Sequence, residues 1–119
     1  MTATITTTGF TELEMSDFER MKVRMLIRRA ADLFCRDRDS SLHVHTKAYD
    51  HAGGRRKFVV TTRLVVPGII NAASKGVAWT AVTAVREALT DLELQMTRAK
   101  EHGEAVRRAA RRGRPIAAE

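Results

Sequence analysis

Alternation of apolar and polar residues predicts four strands. Between residues 42 and 50 every second side chain is apolar or small, which is typical of a strand with one buried face. A glycine-containing turn at 51–56 joins this segment to a second run of β-branched residues, and Pro67-Gly68 ends that run with strong turn chemistry. In chain order the predicted strands cover residues 3–10, 42–50, 57–66 and, as a short further member, 69–73.

Two other segments carry apolar residues at helical spacing. The first begins with a capping box formed by Ser16 and Glu19 and ends in the polar cluster at 36–41. Its predicted buried stripe consists of Phe18, Met21, Met25, Leu26, Ala30, Leu33 and Phe34. The second helix has its stripe at Val82, Val85, Leu89, Leu92, Met96 and Ala99, and Gly103 is expected to interrupt it.

This order of elements predicts an α+β fold, β-α-β-β-β-α, in which a four-stranded sheet has both helices packed on one face. A chain of 119 residues has room for one hydrophobic core. We therefore divide it into an α+β domain at 1–102 and a basic tail at 103–119, which is either a helical extension or disordered. Aromatic residues make up 5% of the chain, so the core should be aliphatic.

The charge balance narrows the class of partner. Lys and Arg number 21 against 14 Asp and Glu, a net charge of +7, which makes a polyanion, and nucleic acid first, the expected partner. The one cysteine, Cys35, excludes an internal disulfide and is interpreted as a small side chain at a helix end. Because neither a membrane-spanning run nor a signal segment is visible, we expect a cytoplasmic protein with no membrane partner.

Catalysis, a cofactor and a metal are not expected. An enzyme would need a nucleophile or an acid/base pair, and no carboxylate pair, Cys-His spacing or glycine-rich phosphate loop is visible in the sequence. His43 and His45 share one strand face and His51 is near, but no fourth ligand follows at suitable spacing. We interpret them as exposed strand histidines.

The segment FVVTTRLVVPGIINAASKGVAWTAVTAVREAL at 58–89 contains a hydrophobic strand, the turn Val66-Pro67-Gly68, and then Trp79 followed by Ala81 and Val82. In these features it resembles the ribosome hibernation factor family, the short hibernation-promoting factors and the related ribosome-associated translation inhibitor. The similarity covers residues 1 to about 102. It implies binding to the small ribosomal subunit and its rRNA in the channel used by messenger and transfer RNA, with reversible suppression of translation during stress.

Candidate RNA-binding residues fall in three places. Arg20, Arg24 and Arg28 form a line on the first helix with steps of about 6 Å, suited to successive phosphates, and Lys22 and Arg29 broaden it. The hairpin tip adds Arg55, Arg56 and Lys57. The third group begins at the end of the second helical stripe and continues into the tail: Arg98, Lys100, Arg107, Arg108, Arg111 and Arg112.

Each candidate has a structural alternative. The arginine line could be a solvated helix face paired with Asp17, Glu19 and Asp32, and the tip and tail charges could serve solubility alone. Trp79 could stack on a base, but its place near the start of a packed helix favours the core.

Two other functional classes stay open. The chain could be a general binder of double-stranded RNA or DNA with a similar fold, because charge alone does not name the polymer. It could also be a protein-interaction module, forming a weak homodimer through Val59, Thr61 and Val65 on the open side of the sheet.

Overall fold

A four-stranded sheet and two helices make up the fold in a computed structural model, which describes residues 4–10, 15–35 and 39–111. In chain order the elements are β1 Thr4–Thr8, α1 Asp17–Phe34, β2 Ser41–Asp50, β3 Arg56–Val66, β4 Ile70–Ala78 and α2 Ala81–Arg111. The strands lie in the order β1-β2-β3-β4, with β1 parallel to β2 and the other neighbours antiparallel. The predicted α+β class and element order are confirmed.

The pairing of β2 with β3 gives the sheet two different faces. Leu42 lies opposite Leu64, and both side chains are buried under the helices. The alternate residues, such as His43 and Arg63, lie on the other side and are exposed. We call that side the open face; its strand residues are Thr4, Thr6, Thr8, Ser41, His43, His45, Lys47, Tyr49, Lys57, Val59, Thr61, Arg63, Val65, Asn71, Ala73, Lys75 and Val77. The alternation predicted for residues 42–50 is confirmed.

Helix α1 begins at the predicted capping box. The backbone N–H of Glu19 donates to Ser16 Oγ at 3.1 Å, and the backbone N–H of Ser16 donates to Glu19 Oε1 at 3.5 Å. Two backbone donors that the first turn leaves without helical partners are thereby satisfied. The helix ends at Phe34, and the N–H of the C-cap residue Cys35 donates to Ala31 O at 2.8 Å.

The buried face of α1 differs from the predicted stripe. Its buried residues are Val23, Ile27, Ala30 and Phe34. Four members of the predicted stripe are instead exposed: Phe18 (61%), Met21, Met25 (62%) and Leu33. Apolar residues occupy more than one side of this helix, and both sets satisfy helical spacing, so the sequence alone does not select the side that packs. The prediction was wrong in the orientation of the helix.

The segment after the Pro67-Gly68 turn forms a longer strand than predicted. The turn itself is as expected, because Ile69 N donates to Val66 O at 3.0 Å and Gly68 has φ 78°, as in a type II turn with proline before glycine. β4 continues to Ala78, well past residue 73. Small residues and Gly76 lower its strand propensity, yet they allow α2 to lie close: a Cβ at Gly76 would overlap the backbone of Ala84.

Helix α2 runs through Gly103, where an interruption was predicted, and reaches Arg111. A glycine inside a helix costs only about 1 kcal/mol, which does not suffice to end it. Of the residues whose burial is described, Met96 is the last buried one, so residues 97–110 extend beyond the core. Part of the predicted tail, 103–111, is therefore helical, and residues 112–119 lie outside the described residues.

The core lies between the sheet and the helices and is aliphatic apart from Phe34 and Phe58 among the residues that are described. A polar contact crosses it, since the Thr62 and Ser74 hydroxyls are hydrogen-bonded and Ser74 Oγ donates to Ala88 O at 2.7 Å. Neither described helix is long and apolar enough to cross a bilayer.

Two side chains of helix α2 also contact the outer edge of β4. Val77 N donates to Glu87 Oε2 at 3.1 Å, and Gln95 Nε2 donates to Ala73 O at 2.9 Å. Side chains of α2 thus occupy backbone groups of β4 that a further strand would otherwise pair with.

Candidate nucleic-acid interface

Arg20, Arg24 and Arg28 lie together along a groove between α1 and β1. The groove has a volume of about 320 Å³, and its other lining residues are Thr7, Phe10, Met15, Val23 and Ile27. We call this the arginine groove. It combines an apolar floor with three guanidinium groups, each of which can present a planar fork of donors to phosphate oxygens. The line predicted from four-residue spacing is therefore brought to one surface.

The three arginines of the groove differ in their burial and in the contacts that they make within the protein. Arg20 is half-buried, its Nη1 donates to Phe10 O at 3.1 Å, and it takes part in a further interaction. Arg24 and Arg28 are exposed, and no ion pair joins either of them to a described residue. The alternative of a helix face neutralised by neighbouring carboxylates gains no support at these two positions, so Arg24 and Arg28 are the stronger candidates for phosphate contacts.

Lys22 and Arg29 do not line the arginine groove. Lys22 Nζ lies 4.9 Å from the centre of the Phe18 ring. Arg29 lines a separate cleft of about 200 Å³ between α1 and α2, together with Arg86 and Glu93. These two candidates therefore extend the basic area of α1 rather than completing the groove.

The three basic residues at the hairpin tip between β2 and β3 make different contacts. Arg56 Nε lies 3.2 Å from Asp50 Oδ1, which makes an exposed ion pair. Arg55 and Lys57 both lie over the ring of Trp79. Arg55 Cζ is 3.9 Å and Lys57 Nζ is 5.2 Å from the ring centre. The tip is thus part of a cation and aromatic cluster.

Trp79 is not a core residue, contrary to the expectation from sequence. It is 45% exposed and follows the last residue of β4, and His51 contacts its ring edge-on at 5.4 Å. The signal that could have placed it was Thr80, whose Oγ1 accepts from Thr83 N at 3.2 Å as a helix cap. A residue before the cap lies outside the helix, so it does not share the helix's buried face.

The basic residues on α2 are exposed as far as they are described. Arg98, Lys100, Arg107 and Arg108 lie on the part of the helix that extends past Met96. Arg111 is the last residue of α2, and its side chain and Arg112 fall outside the described part of the chain. Contact between these residues and RNA therefore remains a prediction.

The histidines of the sheet have other neighbours than a metal site would give them. His45 Nδ1 and Thr8 Oγ1 lie 2.6 Å apart across the β1–β2 pair, and His51 contacts Trp79. Within the described ranges no three His, Cys, Asp or Glu side chains are arranged to hold a metal ion.

The open face bears on the predicted homodimer. Val59 and Val65 are half-buried and Thr61 is exposed. The same face carries Lys47, Lys57, Arg63 and Lys75, and a two-fold contact would bring these like charges together. Homodimerisation through this face remains a prediction that the charge disfavours.

Comparison with known proteins identifies a fold. No family model and no curated protein matches the chain. It is similar to the solved structure of a ribosomal subunit interface protein from Coxiella burnetii, with a TM-score of 0.53 and 18% identity, covering 85% of this chain and 99% of that one. It is also similar to the N-terminal domain of Protein Y from Thermus thermophilus, with a TM-score of 0.44, 19% identity and coverage of 82% and 98%. The chain therefore has the fold of the Coxiella protein, in line with the fold that the sequence resemblance implied.

Proposed function

We propose that this protein is a ribosome-binding translation inhibitor, a hibernation factor that binds the rRNA of the small subunit in the channel of messenger and transfer RNA. The observation that carries the proposal is the arginine groove on a fold shared with a ribosomal subunit interface protein. A protein with this role acts in the cytoplasm and responds to stress.

The distribution of charge supports binding through the groove side. β1 and β4 are the two edges of the sheet, and the arginine groove lies at the β1 edge. Two of the acidic side chains of α2 lie toward the other edge, where Glu87 contacts Val77 and Asp91 contacts Gln95. At that edge Arg86 lies beside Glu87 and Asp91, which offset its charge, so a polyanion is drawn more strongly to the groove.

The chemistry of the groove suits an RNA backbone. Guanidinium groups at Arg24 and Arg28 would each neutralise a phosphate and release a counterion, which makes binding sensitive to salt. Lys22, Arg29, Arg98, Lys100, Arg107 and Arg108 would add contacts outside the groove.

The experiment is co-sedimentation with purified ribosomes of the double variant Arg24→Glu, Arg28→Glu. We expect its affinity to fall at least about tenfold, since a charged hydrogen bond contributes roughly 1.5–3 kcal/mol. The dependence on salt should also become shallower, by about one unit of log–log slope per lost phosphate contact. Arg20 is left unchanged because it holds Phe10 O.

The matched control is Arg63→Glu, Lys75→Glu on the open face. Both doubles lower the net charge from +7 to +3, because each reversal removes two charges. The control should keep most of its ribosome affinity. If the two double variants lost affinity equally, net charge alone would account for the binding. If the wild type bound ribosomes and arbitrary duplex RNA with equal affinity, the protein would instead be a general RNA binder.

A further inference from the structure

We propose that Trp79, with the cations of the hairpin tip, forms a stacking site for an unpaired base of a single-stranded nucleic acid. The site lies at the tip of the β2–β3 hairpin and the adjacent end of β4, apart from the arginine groove. The inference does not depend on the proposed function, since a chain that failed to bind ribosomes could still bind a single strand here.

The first support is the surroundings of the Trp79 ring. It is 45% exposed although tryptophan is the largest apolar side chain available, and Arg55 lies over it at 3.9 Å. Arg55 follows Gly53 and Gly54, whose φ values are 78° and 73° and beside which a Cβ would meet nothing within 4 Å. Residues 53–55 are all exposed, so a base can reach the cluster from solvent.

A second exposed ring lies in the same row of the sheet. Tyr49 is 45% exposed, pairs with Lys57 across the β2–β3 ladder, and has Lys47 Nζ at 5.3 Å from its ring centre. Lys57 in turn neighbours Trp79, because Phe58 pairs with Ala78. The two rings are thus two strands apart, roughly 10 Å.

The chemistry around these rings fits a nucleotide strand. Val59 and Val77 pair in the next row of the sheet and add apolar surface beside the rings. Lys47 and Lys57 provide positive charge for the flanking phosphates, and among the described strand residues of the open face no carboxylate opposes them. Stacking rings interleaved with cations is the arrangement by which proteins bind single strands.

An unpaired strand is favoured over a duplex. Bases inside a duplex are stacked on their neighbours, so their faces are not available to a side chain. Aromatic residues on the exposed side of a four-stranded sheet are a known means of stacking two or three unpaired bases.

The test uses the intrinsic fluorescence of Trp79, since the chain has one tryptophan. A labelled 12-nucleotide oligouridylate is titrated at low salt, with anisotropy reporting binding and Trp79 emission reporting stacking. We expect saturable quenching that follows the anisotropy, and a loss of affinity of about tenfold in Trp79→Ala. Trp79→Phe, which keeps a ring, should recover part of the loss, and thermal melting checks that both variants are folded.

Two controls isolate the ring and the base. Phe18→Ala removes another exposed aromatic residue that also has a lysine over its ring, but on α1, and should leave affinity unchanged. A strand of equal length made of abasic nucleotides keeps the phosphates and should bind weakly without quenching.

Three results would overturn the inference. Trp79→Ala could bind the oligouridylate within twofold of wild type, the abasic strand could bind and quench as well as the intact one, or oligoglutamate could displace the strand with equal potency. The last result would point to an acidic protein partner. None of these results bears on ribosome co-sedimentation, so the two proposals fail independently.

Discussion

Gly76 lies on β4 at a close contact with the backbone of α2. Replacing it by alanine places a methyl group against the backbone of Ala84, and backbone cannot move aside as a side-chain end can. We expect Gly76→Ala to lower the free energy of unfolding by at least about 1–3 kcal/mol, measured by urea denaturation.

A larger side chain at an exposed position of the same strand serves as its control. Ala73→Val lies on the same strand but on the open face, and its stability should stay within about 0.5 kcal/mol of wild type. An unchanged midpoint for Gly76→Ala would contradict the close packing of α2 on β4.

Cys35 predicts a dependence of stability on pH. Burial raises the pKa of its thiol above the ordinary value of 9.0, so the folded state favours the neutral form. The stability that this contributes is present below pH 9 and is lost as pH rises through the raised pKa. Wild type should therefore lose more stability than Cys35→Ala between about pH 8 and 10 in urea denaturation. Parallel curves for the two proteins would contradict the shift.

At the scale of the element, α1 makes the sharpest prediction about packing. Ile27 is buried and Met25 is 62% exposed on the same helix. Ile27→Ala should cost about 2–5 kcal/mol of unfolding free energy, whereas Met25→Ala should change it by no more than about 0.5 kcal/mol. If Met25→Ala proved more costly than Ile27→Ala, the buried side of α1 would be the one predicted from sequence.

Local chemistry made some elements predictable. The capping box at Ser16 and the proline-glycine turn before Ile69 act through backbone hydrogen bonds of their own residues, so sequence alone locates them. The packed side of α1 depends instead on which apolar arc meets α2, a choice that only tertiary contact makes. The length of β4 likewise depends on the contact of Gly76 with α2, against its own propensity.

At the scale of the whole molecule, sequence predicted the positive charge better than which charged and aromatic residues lie together. The spacing of Arg20, Arg24 and Arg28 placed them correctly on one surface, because four-residue steps on a helix fix neighbours. The cluster of Trp79 with Arg55 was missed because its members lie at the ends of two different strands, β4 and β3, and meet only through the sheet register. Sites within one element are thus readable from sequence, and sites between elements are not.

The two edges of the sheet also differ, with a consequence for association between molecules. Glu87 and Gln95 occupy backbone groups of β4, whereas β1 is the other edge. Fibril growth by strand addition needs two free edges on each molecule, since every new copy must offer one for the next. Because α2 already occupies two outward backbone groups of β4, we expect that edge to add a further strand poorly, so the native fold should resist growth of such a fibril.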